Sequence, residues 1–431
     1  MKIVCFPHGY YLSEVSRLVE IGKKLRDMGQ EVIFFSHGGP YHWVAESEGF
    51  NVVTIQPTMS PERANTYMKF NRAEVGNPFR DSFFTYEELK DYVPREAEAL
   101  KETKADAVLI GWNLPSYLST QLVGIPIIVQ QPGPFTAPFF DRKMGEFVPS
   151  FIGLLRHLPM DWFINWFIPR MKVWLKPFNQ LATELGLPNY KTTLDFMAGD
   201  LTLVMDTPEI LKITHEELLN YTPRHPAYFN KPPLYRYGGP CFAKLPGGIP
   251  ENVKKHFDTK RTKLFCGMGV SGSPKVLGSI IDIVGRLDLQ AVVVTTTILQ
   301  SDLKNVSDRV LVLPHVPTHL VNPMADIAIT HGGAGTVQTA IHSGTPLIGV
   351  PMHAEQVGNV SLVRRQGAGI LLPKQSLAQG EIENSIKKLI TNKSYKENMM
   401  RLKKLQDQID GPSKAAEEII KFIQGRSKAL N

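Results

Sequence analysis

The chain has 431 residues, 43% of them apolar and 21% charged, which is the composition of a globular protein long enough to form two cores. Its net charge of +7 comes from scattered basic residues rather than a Lys/Arg block, which argues against a nucleic-acid-binding protein. The three cysteines, Cys5, Cys241 and Cys266, form no CxxC pair. This argues against a disulfide framework or cysteine-based zinc site and favours a reducing, cytoplasmic location.

The first half of the chain alternates short apolar runs with helical patterns. Strands are predicted at 1–6, 31–36, 52–55, 107–110, 125–130 and 200–205, and helices at 13–28 and 116–123. Because the first strand begins at the N-terminus, we expect no signal peptide, and no apolar run reaches the length of a membrane span. Strands separated by helices imply a parallel sheet covered on both faces.

A second series of strands and helices follows a stretch rich in Pro and Gly at 229–250. Strands are predicted at 263–266, 291–297, 310–313, 327–330 and 347–350, with helices at 274–286, 336–343 and in the charged segment 380–425. We therefore predict an α/β chain with two Rossmann-like domains facing a cleft, at residues 1–235 and 251–408. The linker is 236–250, and a C-terminal helix, 409–431, is expected to return to the first domain.

The most informative motif is the segment ITHGGAGTVQT at 329–339. A strand ends at Thr330, and a glycine-rich turn then leads into a helix. Glycines allow backbone amides to approach an anion closely, and the N-terminus of a helix favours negative charge. His331 can donate a hydrogen bond to a phosphate oxygen, and Thr336 can add a hydroxyl. The alternative is a tight strand-to-helix turn in which Thr336 only caps the helix.

With the residues at 313–318 and the segment GTPLIGVPMHAEQVGNV, this motif resembles the donor-binding signature of nucleotide-sugar-dependent glycosyltransferases that act on small molecules. That family includes plant and bacterial natural-product enzymes and the glucuronosyltransferases. The resemblance is strong over 310–370 and weak over the rest of the chain. It implies a GT-B fold, an inverting mechanism, a UDP-sugar or dTDP-sugar as donor, and no metal ion or other cofactor.

The resemblance assigns donor-binding roles residue by residue. His331 would bind the diphosphate together with Gly333, Ala334, Gly335 and Thr336. His315 would stack on the base, and Val316 would offer its backbone groups to the base. Glu355 and Gln356 fall where the family has the Asp-Gln pair that holds sugar hydroxyls.

Thr339 is the departure that bears on the nucleotide. Many family members have a Glu at this position, which grips the ribose hydroxyls. The short Thr339 side chain cannot form hydrogen bonds to both ribose hydroxyls at once, as a Glu carboxylate can. We therefore expect thymidine donors, which lack the 2′-hydroxyl, to be accepted beside uridine donors.

The catalytic base is also expected to differ from the family pattern. Inverting transfer needs a base near the acceptor hydroxyl, and the family usually supplies a His. Counting back fifteen positions from Gly29 places Glu14 at that position. The family's Asp partner is missing as well, which is consistent because a second carboxylate would repel a carboxylate base. Glu14 is our predicted base. The structural alternative is that Glu14 only interacts with the positive end of its helix dipole. His8 is the second candidate for the base.

A GxGxxG string at 267–272 also permits a dinucleotide-binding interpretation. The acidic residue that this fingerprint needs at the end of the next strand is missing, so a dehydrogenase is disfavoured. In the glycosyltransferase interpretation, amides near Gly269 and Ser271 approach the donor phosphates or the acceptor; the alternative is that the loop only allows close packing of helix on strand. A metal-binding DxD motif does not occur. An epimerase of the same fold and an inactive nucleotide-sugar-binding protein remain as alternatives.

The acceptor is expected to be small, apolar and aromatic or phenolic. Its predicted walls are the aromatic residues Trp112, Phe135, Phe139, Trp162 and Trp166. Aromatic and basic residues alternate between 151 and 178, so two other interpretations stay open. The segment can be a helix lying on a membrane surface, as in a glycolipid-forming enzyme, or an ordinary helical core.

Overall fold

The computed structural model describes residues 1–146, 160–269, 274–295, 306–373 and 380–430. These residues form two compact units, each built around one parallel β-sheet with helices. Unit 1 comprises Met1–Gly145, Asp161–Cys241 and Asp410–Asn431, and unit 2 comprises Phe242–Ile409 with Glu146 and Met160. The predicted α/β fold class with two parallel sheets is confirmed.

The sheet of unit 1 has the strand order β3-β2-β1-β4-β5-β6-β7, and all neighbouring strands are parallel. Its strands are β1 (Lys2–Phe6), β2 (Glu31–Ser36), β3 (Asn51–Thr54), β4 (Ala107–Ile110), β5 (Ile127–Gln131), β6 (Leu201–Val204) and β7 (Tyr235–Tyr237). The helices of unit 1 are α1 (Leu12–Asp27), α2 (Trp43–Glu46), α3 (Pro61–Asn71), α4 (Tyr86–Thr103), α5 (Ser116–Val123), α6 (Ala137–Asp141), α7 (Asp161–Phe167), α8 (Leu175–Glu184), α9 (Thr193–Met197), α10 (Pro208–Leu211), α11 (His215–Leu219) and, at the C-terminus, α19 (Gly411–Leu430).

The sheet of unit 2 has the order β10-β9-β8-β11-β12-β13 and is also parallel throughout its described strands. Its strands are β8 (Thr262–Gly267), β9 (Leu289–Val294), β10 (Val310–Leu313), β11 (Ile327–Thr330), β12 (Leu347–Gly349) and β13 (Gly369–Leu371). The helices of unit 2 are α12 (Glu251–His256), α13 (Pro274–Arg286), α14 (Thr318–Val321), α15 (Ala334–Ser343), α16 (Ala354–Arg365), α17 (Glu381–Thr391) and α18 (Ser394–Gln406).

The central strands are continuous apolar runs because helices cover both faces of a parallel sheet. All four residues of β4 are fully buried, and so is most of β1. Burial of each Val, Leu or Ile side chain contributes about 1.5–3 kcal/mol. The core of each unit therefore lies at the middle of its sheet and holds the ends of the central strands in place.

Helices α3 and α4 are among the helices of unit 1 that were not assigned from the sequence. Helix α4 begins with a capping box, in which Thr85 Oγ1 accepts from the Glu88 amide and the Glu88 carboxylate accepts from the Thr85 amide. Helix α3 begins at Ser60, whose hydroxyl accepts from the Arg63 amide. Between β5 and β6 the chain forms α6, α7 and α8, and residues 147–159 of this stretch lie outside the described residues.

The C-terminal helix α19 belongs to unit 1 and packs on α1. Its contact face consists of small and branched apolar residues, which are buried: Ala415, Ala416, Ile419 and Ile423. Among the helices of the described residues, none is long and apolar enough to cross a membrane.

Candidate active site

In each sheet the strand order reverses once, and ligands of such sheets bind outside the carboxyl ends of the strands at the reversal. The reversal lies between β1 and β4 in unit 1 and between β8 and β11 in unit 2. His8 and Trp112 follow the two strands in unit 1. Gly269 and His331 follow the two strands in unit 2, so the topology places predicted site residues at both reversals.

His331 is the centre of the arrangement in unit 2. Its side chain is buried, and its Nδ1 has no hydrogen-bond partner among the described residues. Burial, together with the nearby His353, lowers the pKa of His331 to about 4. A Cβ added to Gly269 would lie 2.8 Å from His331 Cε1, and one added to Gly333 would lie 2.5 Å from His331 Nε2. Glycines at both positions leave room for the imidazole and for a ligand's close approach to the backbone.

The loop after β11 is held by its own hydroxyl groups. The Gly332 amide donates to Thr330 Oγ1, Thr330 donates to Thr336 Oγ1 at 2.8 Å, and Thr336 donates to the Gly333 carbonyl at 2.8 Å. Gly332 has a φ of 87°, a region that favours glycine. The loop is thus preorganised, with the N-terminus of α15 directly after Gly333.

Residue Thr339 lies one turn into α15. Its side chain is buried, and its hydroxyl donates to the Gly335 carbonyl at 2.8 Å. The hydroxyl therefore donates its hydrogen to a backbone carbonyl one turn earlier in the same helix, as is common for Thr in helices.

Glu355, Gln356 and Asn359 lie in the first two turns of α16. Asn359 Nδ2 donates to Glu355 Oε1 at 2.5 Å and to the Gly332 carbonyl at 3.1 Å, which ties α16 to the His331 loop. Gln356 is buried, and its Oε1 accepts from the Met352 amide at 2.8 Å. Glu355 is half-buried, so of the predicted Glu-Gln pair it is the more accessible side chain.

The remaining donor-site predictions fall on the loops after β8 and β10. His315 is exposed and Val316 is buried, between the end of β10 and α14. Gly269 has a φ of 55° and lies against the His331 ring. Ser271 lies outside the described residues.

In unit 1, Glu14 lies in the first turn of α1 and is buried. Its Oε1 accepts from Arg17 NH2 at 2.5 Å, an ion pair that favours the charged carboxylate. A Cβ added to Gly111, just after β4, would overlap Glu14 Oε2 and lie 2.7 Å from Gln130 Nε2. The carboxylate therefore occupies the space above a glycine, at the reversal between β1 and β4.

His8 lies at the other side of this reversal, packed among tyrosines. Its ring centroid is 4.6 Å from that of Tyr67 and 4.9 Å from that of Tyr11. Neither ring nitrogen has a hydrogen-bond partner among the described residues. Burial lowers the pKa of His8 to about 3, and His37 and Arg63 contribute to the shift. A base of so low a pKa removes protons poorly at neutral pH, which argues against His8 as the base.

Four of the five aromatic residues predicted for the acceptor wall fall into two separate clusters among the described residues, and Phe139 lies in neither. Trp112 contacts Phe83, Phe135 and Trp174, with ring centroids 5.8–6.1 Å apart. Phe139 is buried beside Phe140.

The second cluster lies on and around α7. Trp162 is 68% exposed and Trp166 is 50% exposed, and helix α7 has no buried residue. Ring contacts join five residues that we call the aromatic surface: Phe79, Trp162, Phe163, Trp166 and Phe167.

A buried network near the reversal of unit 1 was missed by the sequence analysis. The fully buried Glu96 of α4 accepts hydrogen bonds from Asn113, Ser116 and Ser119, at 2.6–3.0 Å, and lies 2.8 Å from His37 Nε2. It ties the loop after β4 to α4, α5 and the end of β2. One signal was available, because Glu96 falls on the helical face that otherwise holds Leu89, Val93 and Leu100.

No group of three or more His, Cys, Asp or Glu side chains suited to a metal ion occurs within the described parts of the chain. The predicted site residues are instead glycines, imidazoles, hydroxyls and two separate carboxylates. Such groups suit an anionic ligand and proton transfer.

Similarity to known proteins agrees with this chemistry. Residues 302–424 match the family model "UDP-glucoronosyl and UDP-glucosyl transferase". The chain is 26% identical, over 325 residues, to a PGL/p-HBAD biosynthesis glycosyltransferase of Mycobacterium tuberculosis, with 74% of this chain and 71% of the relative covered. It is 25% identical, over 339 residues, to a PGL/p-HBAD biosynthesis rhamnosyltransferase of Mycobacterium bovis, with 76% and 69% covered.

Solved structures of the same fold cover nearly the whole chain. The glycosyltransferase VinC in complex with dTDP matches with a TM-score of 0.64 at 15% identity, covering 98% of this chain and all of VinC. The spinosyn rhamnosyltransferase SpnG with spinosyn aglycone matches with a TM-score of 0.65 at 16% identity, covering 97% of this chain and all of SpnG. These matches confirm the predicted fold class, and the family model and the mycobacterial relatives confirm the predicted family resemblance.

Proposed function

We propose that this chain, a nucleotide-sugar-dependent glycosyltransferase of the GT-B type, transfers a hexose from a UDP-sugar or dTDP-sugar to a hydroxyl of a small apolar or phenolic acceptor. The transfer inverts the anomeric configuration and needs no metal ion. The observation that carries the proposal is the buried His331 Nδ1, which has no partner among the described residues and lies at the sheet reversal beside the N-terminus of α15.

The donor half of the proposal rests on unit 2. A neutral imidazole can donate one N–H to a phosphate oxygen, and the first amides of α15 add donors where negative charge is favoured. Glu355, held by Asn359, would bind sugar hydroxyls. The same donors would stabilise the diphosphate as it leaves, which is the role a metal ion has in other glycosyltransferases.

The acceptor half rests on unit 1. Glu14 would accept the proton of the acceptor hydroxyl while the hydroxyl oxygen forms a bond to the anomeric carbon. The bond from that carbon to the diphosphate breaks at the same time, and its electron pair leaves with the diphosphate. A single displacement from the opposite face inverts the configuration. The acidic proton of a phenol suits a carboxylate base, and the ring cluster around Trp112 suits a flat acceptor.

The nucleotide is expected to be recognised without its 2′-hydroxyl. Because Thr339 donates its hydroxyl hydrogen to the Gly335 carbonyl, this side chain has no donor left for ribose. VinC, a structural relative, was solved with dTDP. Both observations support acceptance of thymidine as well as uridine donors.

The test is calorimetric binding of UDP, 2′-deoxy-UDP and dTDP to the full chain, in EDTA. We expect micromolar affinities, with UDP and 2′-deoxy-UDP within roughly threefold of each other and binding abolished in His331→Ala. His342→Ala is the matched control, because His342 is a partly exposed histidine of unit 2 paired with Asp407. Binding of none of the three nucleotides would refute the donor site, and a large loss without the 2′-hydroxyl would refute the role of Thr339.

Transfer is tested with UDP- or dTDP-hexoses and a phenol. NMR should show a product whose anomeric configuration is opposite to that of the donor. Retention of configuration would refute the inverting mechanism. Conversion of the nucleotide sugar into another nucleotide sugar without an acceptor would point to an epimerase.

A second candidate function is glycolipid formation at a membrane surface, which the aromatic surface supports. Phe79 and Trp162 are each 68% exposed, and Arg170 lies 4.9 Å over the Trp166 ring. Exposed Trp and Phe next to basic side chains are typical of segments that lie at a lipid interface. In this variant of the proposal the acceptor is presented from the bilayer.

A further inference from the structure

Unit 2 contains a further histidine at the same sheet edge, His353, to which the sequence analysis gave no role. β11 and β12 are parallel neighbours, with Thr330 paired to Gly349, so the segments that follow them leave the sheet at one edge. His331 follows the first strand and His353 the second. Helices α15 and α16 begin directly after these segments, so two helix N-termini lie at this edge.

The His353 imidazole is not used to cap its own helix. His353 is the N-cap residue of α16, but its side chain makes no capping hydrogen bond. It is four-fifths buried, and burial lowers its pKa to about 4, so it is neutral at pH 7. A neutral imidazole keeps one N–H donor for a ligand.

His353 lies close to one of the groups assigned to the donor and follows the strand next to that of the other. β11 and β12 pair side by side, so His353 and His331 leave the sheet at neighbouring positions, and His353 contributes to the lowered pKa of His331. The His353 Nδ1 lies 3.8 Å from Glu355 Oε2, the carboxylate proposed to bind sugar hydroxyls. A residue next to the sugar-binding carboxylate and on the strand beside that of the phosphate-binding histidine is placed to contact the phosphate that carries the sugar.

We propose that His353 is a donor-binding residue whose imidazole contacts the β-phosphate, the one that carries the sugar, beside His331. The proposal rests on the proposed nucleotide-sugar donor. The leaving diphosphate is then held by two imidazoles and the N-termini of α15 and α16. Residues at this position therefore set the affinity for diphosphates without affecting the nucleoside or the α-phosphate.

The experiment compares nucleoside diphosphates with monophosphates, using UDP with UMP and dTDP with dTMP. In His353→Phe, which keeps the ring volume and removes both nitrogens, we expect the Kd for the diphosphate to rise about tenfold, or about 1.4 kcal/mol. The Kd for the monophosphate should stay within roughly twofold. His353→Gln, which retains an N–H donor, should recover part of the affinity.

The matched control is His342→Phe, which should change neither affinity. Wild-type affinity for diphosphates in His353→Phe would overturn the inference, and so would an equal loss for diphosphates and monophosphates, which indicates a structural role. These outcomes are distinct from failure of the proposed function. If the proposed function is wrong, the wild-type chain itself binds no nucleotide, and His331→Ala causes no further loss of binding.

Discussion

At the scale of single residues, the site is marked by imidazoles kept neutral by burial. His8, His331 and His353 each have a pKa lowered to between about 3 and about 4, and burial is the largest cause in all three. A neutral imidazole in a ligand site is a directional donor rather than a point charge. It also makes folding sensitive to acid, because the unfolded chain binds protons that the folded chain does not.

His8 allows this acid sensitivity to be measured. Its pKa is about 3 in the folded chain and about 6.5 in the unfolded chain. Between these values the unfolded state binds more protons, so the free energy of unfolding falls as the pH falls from 6.5, by up to about 1.4 kcal/mol per pH unit. We expect His8→Phe to reduce the fall in Tm between pH 7 and pH 5.

The control for this measurement is His225→Phe, because His225 is only half-buried, beside Tyr228. That variant should keep the wild-type difference in Tm between pH 7 and pH 5. An unchanged difference in His8→Phe would contradict a neutral, buried His8.

At the scale of elements, the position of Glu14 depends on two segments far apart in sequence. Helix α1 brings the carboxylate to the sheet edge, and the segment after β4 leaves space for it because Gly111 has no side chain. Glu96 holds that segment through Asn113. The proposed base is thus supported by α1, β4 and α4 together.

Two substitutions test this arrangement. Glu14→Gln should lower kcat by about 100-fold or more, the usual contribution of a general base, with the donor KM unchanged. Gly111→Ala should also lower kcat, because its Cβ would displace the Glu14 carboxylate, while the chain stays folded. Glu20→Gln, a buried Glu of the same helix paired with Lys23, is the matched control and should keep wild-type kcat. Full activity of Glu14→Gln would refute the assignment.

At the scale of the whole molecule, the net charge of +7 and the aromatic surface bear on where the protein works. Arg170 places a positive charge over the Trp166 ring, and the exposed Lys172 follows two residues later in the chain. Basic groups near exposed aromatic rings attract anionic lipids, at about 1 kcal/mol per basic residue close to the surface. This supports a peripheral membrane contact in which the chain stays outside the bilayer.

Vesicle sedimentation tests the membrane contact. The full chain should sediment with vesicles of phosphatidylcholine and phosphatidylglycerol more than with phosphatidylcholine alone, and less so in high salt. The double variant Trp162→Ala/Trp166→Ala should sediment several-fold less. Trp43→Ala is the control, because Trp43 is 45% exposed but lies on α2. Equal sedimentation of the double variant and the wild-type chain would refute this contact. If the double variant instead loses self-association that the wild-type chain shows, the aromatic surface is an interface between two copies of this chain.

Local sequence was sufficient for the donor loop. The glycines, His331 and the helix after them are consecutive, so their pattern alone predicts a strand, a turn and a helix N-terminus. The pattern did not reveal which polar groups already form hydrogen bonds within the protein. The hydroxyls of Thr336 and Thr339 and the Gln356 Oε1 all bond to backbone carbonyls or amides of their own segments, which only the coordinates show.

The sequence by itself determined the two α/β series, the donor loop and the resemblance to glycosyltransferases, because strand and helix periods and glycine-rich turns are local properties. The tertiary structure decided which distant residues meet: Gly111 beneath Glu14, and Glu96 beside Asn113 and His37. It paired β11 with β12, the strands that His331 and His353 follow. It also separated the rings around Trp112 from the exposed rings of α7. Burial and contact across a sheet depend on strand order, which the spacing of residues along a chain does not encode.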